Sequence, residues 1–149
     1  MNTKGITEKQ FETLVLIHAM EEFLTDEQEE YSSLNEVAWS LEESLSVSEH
    51  KDYVREICML TENGYIRSDA TAEHIKQDIV PDIQEITIKG MNTLEEYERK
   101  IKEEMQNGDK TEINISINSI IGLTGINMNV LNGNGGLFKL IAQKIKERL

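Results

Sequence analysis

One cysteine, three histidines and a scatter of serines and carboxylates are all that this chain offers for covalent or metal chemistry. Cys58 stands alone, which excludes an internal disulfide. With only His18, His50 and His74 beside it, no zinc-ligand spacing arises. No serine, cysteine or lysine nucleophile is accompanied by a recognisable base motif, and paired carboxylates on acidic helices are expected from composition alone. The sequence therefore predicts no enzyme, no metal and no cofactor. Asn132-Gly133-Asn134-Gly135-Gly136, after a strand-like segment and before a helix-like one, offers backbone amides that could cradle a phosphate. It lacks the lysine and the serine or threonine of a P-loop and misses the dinucleotide spacing, so it reads as a connector.

What remains is the chemistry of charge. The 149 residues carry a net charge of -13, unevenly spread: residues 1–50 hold two basic side chains against twelve acidic, 51–100 seven against eleven, and 101–149 six against five. Two sets of side chains could recognise a partner. His50, Lys51 and Arg55, with Arg67 and Lys76 further on, are the cations able to meet phosphate. On the outward, solvated side of residues 49–56 they stand among Glu49, Asp52 and Glu56, and further on among Asp69, Glu73, Asp78, Asp82 and Glu85. The second set is Glu21, Glu22, Asp26, Glu27, Glu29 and Glu30. It would repel phosphate and attract basic proteins over the roughly 8 to 10 Å that cellular salt permits. The plain reading of this acid is a solvated face that keeps the protein soluble.

The elements that must position these groups are legible in the apolar periodicity. Thr7-Glu8-Lys9-Gln10 is a capping box with Ile6 and Phe11 as its hydrophobic staple. The helix it opens is apolar on most faces from Phe11 to Leu24, which marks it as central to a core and makes His18 a packed residue. Thr25 to Glu30 is an acidic connector. Ser33 with Glu36 caps a second helix, whose Leu34, Val37, Ala38 and Leu41 share a face. After a serine-rich turn, a third helix runs from Ser48 to Asn63 with Tyr53, Val54, Ile57 and Leu60 inward, and Gly64 is its left-handed stop. Tyr65-Ile66-Arg67 begins a strand, Ser68 to Pro81 a long connection with a helical turn through Ile75 and Ile79, and Ile83 to Ile86 the returning strand.

In Ile86-Thr87-Ile88-Lys89-Gly90-Met91-Asn92-Thr93-Leu94, the threonine hydroxyl caps the next helix, and glycine in its first turn lets that helix press on neighbouring backbone. Ile88, Met91, Leu94, Tyr97 and Ile101 are its expected inward face. Glu95 with Arg99, Glu96 with Lys100 and Glu98 with Lys102 are i,i+4 pairs on its outer face, worth about 0.2 to 0.5 kcal/mol each. Beyond Asn107-Gly108 the composition changes. Ile113, Ile115 and Ile117, then Ile126, Met128 and Val130, alternate with polar residues as in two half-buried strands, and a basic amphipathic helix with Leu137, Ile141 and Ile145 closes the chain. These apolar positions are the candidates for self-association.

Helix, helix, strand, long connection, strand and capped helix, in that order, resemble a winged helix-turn-helix. The Asn63-Gly64-Tyr65-Ile66 and Ile86-Thr87 with Gly90 and Leu94 motifs are similar to those of small YjcQ-like winged-helix proteins of bacteria and their prophages. The resemblance covers about two thirds of the chain and implies a cytoplasmic protein without cofactor or catalytic residues. The expected class is α+β and mostly helical, with a winged helix-turn-helix domain at residues 1–106 and a strand-and-helix appendage at 107–149 that makes a homo-oligomer. No apolar run approaches the roughly 18 to 20 residues of a membrane helix, and no signal peptide is expected at the amino terminus. Two functions remain open. One is a dimeric DNA-binding transcriptional regulator of bacterial or phage origin. The other is an acidic module, such as a phage-encoded modulator or nucleic-acid mimic, that binds a protein and not DNA.

Overall fold

The structure, a computed structural model, describes residues 6–26, 30–107, 112–117 and 123–129, with most side chains described as far as Arg99. The order is α1 (Glu8–Asp26), α2 (Leu34–Glu43), α3 (Val47–Glu62), β1 (Ile66–Ser68), α4 (Ala72–Gln77), β2 (Ile83–Ile86), α5 (Ile88–Asn107), β3 (Glu112–Ile117) and β4 (Leu123–Asn129). The class is α+β and mainly helical, with two separate two-stranded antiparallel sheets, β1-β2 and β3-β4.

The first helix forms as its sequence dictates. Thr7 Oγ1 accepts the Gln10 amide at 3.1 Å, and Ile6 and Phe11 are both buried across the cap. Leu14, Leu16, Ile17 and Met20 are fully buried, each worth roughly 1.5 to 3 kcal/mol of transfer free energy, so α1 is the axis of the core. The helix outlasts its expected end. Thr25 and Asp26 belong to its last turn, where the Thr25 hydroxyl donates back to Glu21 O at 3.1 Å.

Helices α2 and α3 pack on α1 with the expected stripes, Val37, Ala38 and Leu41 on one and Tyr53, Val54, Ile57 and Leu60 on the other. Their caps differ in detail from the sequence reading. Ser33 Oγ accepts the Glu36 amide, but the Glu36 carboxylate reaches past Ser33 to the Ser32 amide at 2.9 Å. The Ser32 hydrogen bonds hold the Glu36 carboxyl below its ordinary pKa. Helix α3 starts at Val47, a residue earlier than the expected Ser48, because Ser46 and Glu49 complete a reciprocal capping box.

The end of α3 is a Schellman motif. Gly64 sits at φ 81°, Tyr65 N donates to Leu60 O at 2.9 Å and Gly64 N to Thr61 O at 3.2 Å. That turn delivers Tyr65 beside the start of α5. The Thr87 hydroxyl lies 2.6 Å from Gly64 O and 3.2 Å from the Gly90 amide it caps. A Cβ at Gly90 would stand 2.3 Å from Tyr65 O, so the helix presses backbone on backbone there, as its sequence implied. Lys89 adds a hydrogen bond to Asn63 O at 2.9 Å and lies 4.5 Å from the centre of the Tyr65 ring.

One residue of the expected α5 face is corrected. Ile88 is 82% exposed. Leu94 and Gly90 are buried and Met91 is half-buried. At about 100° per residue, Ile88 lies some 120° to 160° round the helix from Leu94 and Gly90, so the helix's first residue faces away from the core. The side chains of Tyr97, Glu98, Lys100, Ile101 and Lys102 lie outside those described, and with them two of the three expected ion pairs.

In the first sheet Ile66 pairs Ile86 and Arg67 pairs Glu85, and a bulge then gives β2 one extra residue before Ser68 pairs Ile83. Asn35 of α2 completes β2 by bonding both backbone groups of Ile83, Nδ2 to the carbonyl at 3.1 Å and Oδ1 to the amide at 2.8 Å. In the second sheet Ile113 pairs Met128 and Ile115 pairs Ile126, which puts these four positions on one face. Strand β4 begins at Leu123, earlier than the expected Ile126, and a bulge separates the Ile115 and Ile117 pairings. Val130, Leu137, Ile141 and Ile145 lie outside the described residues, as does the Asn132 to Gly136 loop.

Candidate interaction face

The five cations singled out for phosphate contact lie on α3, β1 and α4, and four of them already face a carboxylate of the chain. Arg55 Nη1 is 3.6 Å from Asp52, one turn back on α3. Arg67 Nη1 is 3.0 Å from Glu85 across the sheet, the pairing that the strand register imposes. Lys76 Nζ is 3.6 Å from Glu73 within α4. Lys51 is exposed, and it makes no ion pair among the described residues.

His50 is the most enclosed of the five. Its side chain is 17% exposed, with Nε2 2.5 Å from Glu42 Oε1 of α2 and Nδ1 3.0 Å from Asp78 Oδ1 at the end of α4. The second contact is the longer of the two. Burial opposes the charge on the ring, but the Glu42 and Asp78 carboxylates outweigh it and raise the His50 pKa above the ordinary histidine value. One turn along α3, the Tyr53 hydroxyl is wholly buried with no hydrogen-bond partner among the described residues, and burial, with the Glu42 charge adding, pushes its pKa up.

The side chains counted as outward on α3 are not all so. Glu56 is 7% exposed, and burial raises its carboxyl against the opposing pull of Lys9 and Arg55. Its place beside the Tyr53 and Leu60 stripe, three and four residues away, turns it toward α1, where Lys9 also approaches Asp52 at 3.9 Å. Burial likewise lifts the Cys58 thiol, which disfavours the reactive thiolate.

What the cations leave open, apolar side chains fill. Val47 is 74% exposed at the first position of α3, and Ile75 and Ile79 are about half exposed on α4 and just after it. Val47 lies one turn before His50 on α3, and Ile75 and Ile79 stand three residues before and one residue after Asp78, which His50 touches. Trp39 of α2 is a further exposed large side chain. Periodicity could not reveal this group, because a single helical turn through Ile75 and Ile79 is too short to define a face. Helix α4 has no buried residue.

The acidic set is less uniform than its composition suggests. Glu21 and Glu22 are half-buried, Glu21 lying 3.5 Å from His18, while Glu30 is exposed. The side chains of Asp26, Glu27 and Glu29 lie outside those described.

No described group of three or more histidine, cysteine, aspartate or glutamate side chains is placed to hold a metal ion, and no described helix is long and apolar enough to cross a membrane. Comparison with family models, curated proteins and solved structures returned no match to this chain.

Proposed function

We propose that the chain is a winged-helix module that uses the face of α3 and the β1-to-β2 connection to bind a protein partner. The winged-helix assignment is supported by the element order from α1 to α5, by the antiparallel pairing of β1 with β2, and by the tight Tyr65 to Gly90 closure. In a winged helix, α3 is the groove-reading helix and the connection is the wing. The observation that carries the protein-binding reading is the character of these elements: Val47 on α3 and Ile75 and Ile79 on the connection are large apolar side chains left exposed, while His50 is enclosed. Residues 47–86 hold four lysines and arginines against nine acidic side chains, the reverse of what phosphate recognition requires. Exposed apolar side chains grouped on one face suit a protein surface. The β3-β4 pair, with four apolar positions on one face, is the proposed site of self-association.

A DNA-binding regulator is the second reading, and Lys51 favours it, being exposed and unpaired among the described residues at the start of α3. Exposed ion pairs such as Arg67 with Glu85 are worth only about 0 to 1 kcal/mol, so phosphate could displace them.

Fluorescence anisotropy with mixed genomic DNA fragments, at low and at physiological salt, separates the two. The protein-binding reading expects no binding even at low salt. Salt-sensitive binding lost in a Lys51→Ala and Arg55→Ala double variant establishes the regulator instead. Capture of a partner by the wild type, lost in Val47→Glu with Ile75→Glu and kept in the Lys51 and Arg55 variant, locates the contact on the apolar face.

A further inference from the structure

A neutral imidazole has one N–H donor and one bare acceptor nitrogen, whereas an ionised carboxylate only accepts. His50 meets a carboxylate at both ring nitrogens, Glu42 from α2 and Asp78 from the end of α4. A neutral ring would serve one of them and turn a lone pair on the other. Only the imidazolium is attracted to both. His74, on α4 itself, is built differently: its Nδ1 accepts the Thr71 amide at 2.9 Å, which places its ring proton on Nε2, toward Asp69.

The backbone at Asp78 gives the contact a mechanical consequence. Among the described residues Asp78 is the one non-glycine with positive φ, at 56°. L residues rarely adopt this conformation, and it persists where surroundings hold it. Asp78 is the left-handed stop of α4, so its side chain sets where α4 ends against α3. Helix α4 buries no residue that could hold it there by area. The connection is otherwise tied by Val80 and Pro81, which are buried just after α4, and at its base, where Asp69 and Asp82 exchange two hydrogen bonds and Asn35 holds Ile83.

We propose that His50 is a proton-operated latch: as imidazolium it ties α4 to α2 and α3 together, and on losing its proton it releases Asp78 and lets α4 lift from α3. The groups that face it are Glu42 from α2, Asp78 from the connection, and on α3 itself Tyr53, whose buried hydroxyl lies near Glu42. Asp78 is the partner released, because Glu42 lies closer to the ring. The raised His50 pKa agrees in sign. The latch's contribution is complete below the ordinary histidine value of 6.5 and is lost as pH rises through the higher value of the folded state. The latch is independent of what the face binds.

The test is nuclear magnetic resonance on the full chain, following the His50 ring resonances and amide exchange protection through a pH series. Protection of residues 72–79, corrected for intrinsic exchange, should fall several-fold in step with the His50 titration and not with that of His74, while α1 amides hold constant. Asp78→Asn keeps a residue that tolerates the left-handed conformation, and His50→Gln removes the titration. Both should show the low protection at every pH, with α1 protection reporting that the fold survives. Protection that stays flat through the His50 titration, or a His50→Gln variant that keeps the wild-type pH response, overturns the latch.

Discussion

Where β1 meets α5, the contact is backbone on backbone: Gly90 admits Tyr65 O, the Thr87 hydroxyl bonds Gly64 O, and Leu60, Tyr65, Ile66 and Leu94 are buried around it. Where α4 meets α3, the contact rests on the His50 ring and two carboxylates, with Ile75 and Ile79 half in water. The first junction gains from apolar area and shape, which no proton can change. The second gains from charge at a few atoms, which pH and salt both alter. A chain that leaves its large apolar side chains outside its weaker junction keeps them available for another surface.

Substitutions can break that contrast or sharpen it. The largest effect is expected for Leu60→Ala under the first junction, a loss of about 2 to 5 kcal/mol in urea unfolding, since a fully buried leucine leaves a cavity. Gly90→Ala should follow, at about 1 to 3 kcal/mol, as the new Cβ forces α5 off Tyr65; a stability within 0.5 kcal/mol of wild type would refute the close approach. Asn35→Ala removes both hydrogen bonds to Ile83 and should cost roughly 1 to 2 kcal/mol, with exchange accelerated in β2 before α1. Val47→Glu should change stability by no more than about 0.5 kcal/mol while removing partner capture. His50→Gln is the one variant whose effect should depend on pH. Its stability should fall below wild type in acid and converge on it as pH rises through the His50 titration, and a pH-independent difference would place the second junction with the first.

Ile88 and Ile75 show where periodicity fails. Ile88 recurs at helical spacing and reads as inward, yet it is the first residue of α5, and Ile75 belongs to a helix of two turns or less whose spacing assigns it no face. A single residue at a helix start, or a short helix, gives the 3.6-residue repeat too few turns to define a face. Glu56 errs in the opposite sense: a charge read as solvated is buried because α1, far away in sequence, lies against that side of α3 with Lys9. Arg67 opposite Glu85 likewise required the strand register.

Local chemistry was the sequence's province. Caps at Thr7 and Thr87 and the stop at Gly64 act between residues within a few positions, through covalent geometry that any chain shares, and the stripes of α1 to α3 and the glycine of α5 are legible in residue type and spacing. The tertiary structure alone decided that His50 would face both Glu42 and Asp78, and that Val47, Ile75 and Ile79 would stand exposed. Those relations join segments separated along the chain. Their distances follow from how the β1-to-β2 connection folds back on α3, which no local rule specifies.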